Sequence, residues 1–337
     1  MEINLNALDR PYPPAARKVL RTIMYIFLAI LVVEVALIYL KPEIGLRVLW
    51  FATIPLAPMI ILVAPNLWVS VCPLSTVQTL SHRAGLNPPR RLSSRASEIL
   101  QILGWTLMFL GIPTRHLVFN TVGAAAFTAV AAAVGVGLVL GFFFRSLSAW
   151  CMGFCPIRPI EVIYGQFARD RHRPEKCTTC TGCVSNCMRV TPEKSHDEFA
   201  RSRFAANLAM GFPGFVAAYF LLDLLNWCKV EHEFLSGVAS TVTNWPMQIG
   251  IVYGTMAGGS VVSWLIFSLL ARAVGREGTF RAVAISALAA YYLGVVPEIC
   301  EAWNWPLWVG PFLLLMPAAA VIWALLPRNK PATATSR

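Results

Sequence analysis

Long apolar runs, each about as long as a bilayer is thick, limit this chain's fold more than any other feature. Eight are legible, at about 19–40, 48–65, 97–113, 120–144, 204–226, 247–271, 281–299 and 306–326. A helix rises about 1.5 Å per residue, so about 20 apolar residues cross the hydrocarbon core. Within that core every backbone N–H and C=O must be paired inside the protein, which leaves helices for runs of this length. The sequence therefore predicts an all-α polytopic membrane protein with about eight transmembrane helices. Composition agrees: 57% of the 337 residues are hydrophobic, 13% are charged, and the mean hydropathy is +0.61. Two runs carry internal limits. The second is short and contains Pro55 and Pro58, and Pro113 is expected to end the third.

Charge placement orients the bundle. With the N-terminus inside, 24 of the 28 Lys and Arg residues fall in inside segments; only Lys41, Arg47, Arg115 and Lys229 fall outside. Cytoplasmic loops collect positive residues, so both termini are expected on the cytoplasmic face of a bacterial inner membrane. Arg10, Arg17, Lys18 and Arg21 precede an apolar run that reaches Leu40. It is too long for a signal-peptide core and no small-residue cleavage site follows it, so it is expected to remain as the first helix. The expected organisation is a four-helix membrane region at 1–144, a cytoplasmic segment at 145–203, a second four-helix region at 204–327 and a tail at 328–337. The net charge of +11 is spread over several loops without a DNA- or RNA-binding motif, which argues against a nucleic-acid partner.

The cysteines carry the chemistry. Seven of the nine lie in three short basic stretches, all on the expected cytoplasmic side: Cys72; Cys151 and Cys155; and Cys177, Cys180, Cys183 and Cys187. The last four form C-x2-C-x2-C-x3-C, the spacing that wraps a 4Fe–4S cluster. Their spacers are short, and Thr and Gly182 let backbone N–H groups approach the sulfides, which tunes the potential. Zinc ribbons usually separate their cysteine pairs further. Segment 169–203 is too small to bury a core of its own, so a metal cluster is its natural staple.

The other three cysteines belong to a weak internal repeat. The stretch from Trp68 through Cys72-Pro73 to Gln78 aligns with that from Cys151 through Cys155-Pro156 to Glu161, 83 residues later. Each follows an even-numbered span at its cytoplasmic end, and parallel repeats often share a site where they meet. Proline favours the first turn of a helix, so Cys72 and Cys155 are expected at helix N-termini, where the dipole favours thiolate. Short surface helices are expected at 74–82 and 157–167.

Paired Cys-Pro turns after transmembrane helices, followed by a cytoplasmic ferredoxin run, resemble the NapH/NosR/CcoG-type membrane-bound ferredoxin-like family over roughly residues 20–200. That resemblance implies electron transfer linked to quinol oxidation, nitrous-oxide respiration or copper-oxidase maturation. Three departures stand out. Trp68 replaces the leading cysteine of the first turn, the chain has one ferredoxin run where two are usual, and Met188 stands where proline usually follows the fourth cysteine. Two ligand assignments remain open. Cys177, Cys180, Cys183 and Cys187 hold one cluster and Cys72, Cys151 and Cys155 form a separate three-thiol site, or Cys187 completes a second cluster with those three.

On the other face, Cys228 and Cys300 end the fifth and seventh spans, where a disulfide would be compatible with an oxidising compartment. Glu34, Asp223 and Glu298 fall inside spans, with His116 and His232 flanking the same face. Together they form a candidate set of proton acceptors for quinol. None of the five histidines is mid-span, which argues against a bis-histidine haem, and no C-x-x-C-H, GxGxxG or Walker A motif occurs. The function these features point to is electron transfer between the quinone pool, or a membrane redox partner, and an acceptor. The alternatives are a copper reductase or maturation factor and a structural or redox-sensing subunit of a larger complex.

Overall fold

The computed structural model describes residues 10–11, 14–86, 93–144, 149–165, 172–173, 202–225 and 245–325. These are almost entirely helical; the exception is a parallel pair of two-residue strands, β1 (Arg10–Pro11) and β2 (His172–Arg173). Six helical stretches among them are long and apolar enough to cross a membrane.

Helix α1 (Pro14–Leu40) is apolar all round over its span and exposes Tyr25, Val32 and Val33, as a lipid-facing helix does. Next come α2 (Pro42–Val48), a π-helical turn (Leu49–Thr53) and α3 (Ile54–Val63), forming one crossing from Pro42 to Val63. Pro55, in the first turn of α3, and Pro58, inside it, lie within this crossing-length stretch without breaking it. The chain then steps through three short helices, α4 (Pro65–Val71), α5 (Pro73–Gln78) and α6 (Leu80–Arg83).

Helix α7 (Ser94–Thr114) begins with Ser93 capping the Ala96 N–H at 3.2 Å. Pro113 does not end this crossing. The helix passes through it and continues as a π turn over Arg115–Phe119, so the crossing runs from Glu98 to Phe119. Helix α8 (Gly123–Phe143) follows, then a third π turn (Trp150–Phe154) and α9 (Arg158–Tyr164).

The C-terminal part is built on α10 (Arg203–Leu224) and α11 (Trp245–Ala302). Gly275 interrupts α11 with φ 77° and ψ 171°, a conformation open to glycine and costly for other residues. The two arms, 245–274 and 276–302, run in opposite senses beside α10. In the first arm Gly259 meets Gly214, and Trp264 bonds Asn207 at 3.2 Å. In the second, Phe280 shares a cavity wall with Ala206, whereas Gly294 meets Phe220. The main core lies here and extends to α3, α7 and α9, with Leu222, Val252, Met256, Ala287 and Val295 fully buried. Tyr292 ties the second arm to α3 by donating to the Pro55 carbonyl. Helix α12 (Gly310–Leu325) closes the described chain.

Candidate functional site

The two Cys-Pro segments fold alike. Cys72 ends α4 and precedes α5 with φ −52° and ψ 121°; Cys155 ends a π turn and precedes α9 with φ −64° and ψ 122°. Proline explains the shared geometry, since it pushes the preceding residue out of the helical region. The backbone N–H of Cys72 is held by Trp68 O at 2.7 Å and that of Cys155 by Trp150 O at 2.9 Å. The Cys72 carbonyl accepts from Ser75 Oγ and Thr76 Oγ1, each at 2.9 Å.

The two turns also grip each other reciprocally. Trp68 Nε1, four residues before Cys72, donates to Glu161 Oε1 at 3.0 Å, and Glu161 lies six residues after Cys155. The Cys151 N–H, four residues before Cys155, faces Gln78 Oε1 at 3.4 Å, and Gln78 lies six residues after Cys72. Position −4 of each turn thus bonds position +6 of the other. Trp68, at the position that Cys151 holds in the other turn, is one half of this exchange. Two glycines set the depth of the joint. A Cβ on Gly104 would lie 2.8 Å from Gly153 O, and Gly141 packs on the Gln78 carbonyl. Ser81 Oγ fastens the first turn to α8 by donating to Gly141 O at 2.6 Å.

The three thiols are therefore buried together, at 8% (Cys72), 5% (Cys151) and 8% (Cys155) exposure. Burial pushes the Cys155 thiol well above its ordinary value, and neighbouring Cys151, Glu161 and Cys72 push it in the same direction. At Cys155, burial therefore opposes the thiolate that a helix N-terminus favours.

The surroundings fit a sulfur-rich anionic group. Gln78 Nε2 and Trp150 Nε1 are buried donors without a hydrogen-bond partner among the described residues, and both lie on the segments carrying the thiols. Donors of this kind are what sulfide and thiolate accept from. Among the described residues, however, no three His, Cys, Asp or Glu side chains close around one point as a ligand set. Cys177, Cys180, Cys183 and Cys187 lie outside the described residues, as do Cys228 and His232. Cys300 is buried, with a free thiol among the described residues.

A second constellation lies at the far end of α7. From Gly104, at the thiol turn, to Arg115 is eleven residues, about 17 Å of helix. Arg115 counts as an outside-loop residue by sequence but is buried, 6% exposed, at the start of its π turn. Its guanidinium lies over the Trp50 ring at 4.5 Å and the Tyr219 ring at 5.3 Å. It donates to Asn120 Oδ1 at 2.7 Å and stands 3.9 Å from Glu298. His116, fully buried, stacks on Tyr219 with ring centroids 3.8 Å apart and faces Asp223 at 3.3 Å. Trp50 Nε1 donates to Phe119 O at 3.2 Å, so two π turns meet at this point. Such turns concentrate at functional sites.

The set expected on this face therefore divides. Asp223, Glu298 and His116 come together, and Glu34 sits apart, accepting from Thr53 Oγ1 at 2.7 Å beside a lipid-facing groove lined by Ile26, Ile30 and Val33. Arg115 and Tyr219 are the residues that sequence reading missed. The available signal was the apolar Leu117-Val118-Phe119 after the Arg-His pair, which placed that pair inside the crossing. In comparisons with known proteins, no family model, curated protein or solved structure matches the chain.

Proposed function

We propose that the protein is a membrane-integral iron–sulfur electron-transfer component, passing electrons between the quinone pool or a membrane redox partner and an acceptor. The observation that carries this reading is the reciprocal joining of the two Cys-Pro turns, which brings the buried Cys72, Cys151 and Cys155 near one another beside buried N–H donors. In this reading the chain crosses the membrane eight times, with the segment 145–203 on the cytoplasmic side as a small ferredoxin-like insertion. Cys177, Cys180, Cys183 and Cys187 hold one 4Fe–4S cluster, and the three buried thiols form a separate soft-metal site. Such a cluster, when bound, would supply one-electron chemistry. The protein's own part is to bury the thiols, present N–H donors to sulfur and exclude water. The resemblance to the NapH/NosR/CcoG-type family supports the same reading.

A second reading rests on the same pocket. Thiolates suit soft Cu(I), and the three buried thiols near one another are compatible with a copper reductase or maturation factor. One experiment separates the two. After anaerobic purification, iron, copper and acid-labile sulfide are measured per chain, with electron paramagnetic resonance of the reduced protein. The expected result is about four irons with matching sulfide and one cubane signal. Protein loaded under iron- and copper-replete conditions that holds copper but no acid-labile sulfide would replace the first reading with the second.

A further inference from the structure

His116 occupies a position that its hydrogen-bond geometry does not satisfy. Its Nε2 lies 3.1 Å from the Tyr219 carbonyl oxygen. A carbonyl only accepts, so Nε2 carries the hydrogen and the neutral ring has its lone pair on Nδ1. Nδ1 faces Asp223 Oδ1 at 3.3 Å and makes no hydrogen bond with any described residue. An ionised carboxylate also only accepts. Two acceptors thus face each other, the imidazole fully buried and the carboxylate partly exposed, an arrangement that one proton between them turns into a hydrogen bond.

The pair has charged and polar neighbours. The described groups facing this pair are Arg115 on the same turn, Tyr219 on α10, and Glu298 and Tyr291 on the second arm of α11. The pair also has an outlet: the Asp223 side chain is 29% exposed, while His116 is 0% exposed.

We propose that His116 and Asp223 form an intramembrane proton-binding site that holds one exchangeable proton between Nδ1 and the carboxylate, with Arg115 and Glu298 as its fixed counter-charges. The site is independent of whatever occupies the thiol pocket. It takes a proton at the end of the bundle remote from the thiols and returns it through Asp223.

The test uses the full chain in lipid nanodiscs. Infrared difference spectra between acid and alkaline pH, in water and in deuterated water, read protonated carboxyl and imidazolium bands. One proton-linked, deuterium-sensitive change is expected in the wild type and is lost in both Asp223→Asn and His116→Gln. Its survival in both variants would overturn the proposal. Asp223→Glu keeps an acid at the same place and should retain the change at a displaced midpoint; its loss in a folded Asp223→Glu protein would indicate a merely structural role. Nitrogen-15 histidine resonance on the wild type needs no variant. It should find Nε2 of His116 protonated throughout and Nδ1 changing state with pH. An Nε2 without a proton would sink the tautomer on which the site depends.

Discussion

At the residue scale, the most informative side chain is Trp68. It stands where the family resemblance expects a cysteine, so it removes one thiol from the pocket. Its indole also bridges to Glu161 in the opposite turn. Trp68→Phe keeps most of the buried ring and deletes only the donor. Glu161 then loses a charge-assisted partner in a half-buried place, a loss of about 1 kcal/mol after solvent screening. Glu161→Gln retains an acceptor and should cost less. Thermal melting of the two variants in detergent is expected to rank them in that order; a Trp68→Phe protein as stable as wild type would mean that the indole N–H does not hold the turns together. The alignment that pairs Trp68 with Cys151 and Gln78 with Glu161 was legible in the sequence. Their cross-bonding was not, because local spacing says which positions correspond and nothing about which repeat they reach. Arg115 was hidden for a different reason. A charged residue after a proline looks like the start of a loop, and only the π turn, which keeps the helix going past Pro113, carries it into the interior.

At the element scale, the contact between α10 and α11 depends on small residues. Lipid tails are as apolar as leucine, so helices in a membrane gain most from close backbone approach. Gly211 meets Ser260, and Gly214 meets Gly259, whose Cβ, if present, would lie 2.7 Å from that of Ala218. Gly258, next in sequence, has nothing within 4 Å of such a Cβ. Gly259→Leu is therefore expected to force the helices apart at a cost of about 1–3 kcal/mol or more, whereas Gly258→Leu should be tolerated. Protease protection and melting temperature of the two variants provide the check. If both behave like wild type, small-residue packing is not what joins these elements. Hydropathy found the elements themselves well: five crossings agree with the apolar runs to within a few residues, apart from the extension of the second back to Pro42 and the third on to Phe119. It could not find their partners. The helix is apolar on most sides, and only the spacing of Gly and Ser marks the face that packs.

At the scale of the whole molecule, the length of α11 demands a bend. Fifty-eight residues of helix would reach about 87 Å if straight, far beyond a hydrocarbon core of about 30 Å. Gly275 resolves this by reversing the chain, leaving arms of about 45 and 40 Å, each long enough to cross. Under the proposed orientation the bend lies on the cytoplasmic side. Arg276 shares a cavity of about 150 Å³ with Arg203 at the start of α10, and Arg203 directly follows the cysteine-bearing segment. At the other end of the second arm stand Trp305 and Trp308, both exposed, as in an aromatic belt at a membrane–water interface. Asp223 is twenty residues along α10 from Arg203, about 30 Å away, which sets the proton site and the bend at opposite ends of the bundle. Reporter fusions truncated after Glu277 and after Asn304 should therefore differ, with a fluorescent protein active only at the first and alkaline phosphatase only at the second. If both reporters behave alike at the two positions, the second arm does not cross. The charge asymmetry that orients the chain would then lose Arg272, Arg276 and Arg281 from the cytoplasmic face.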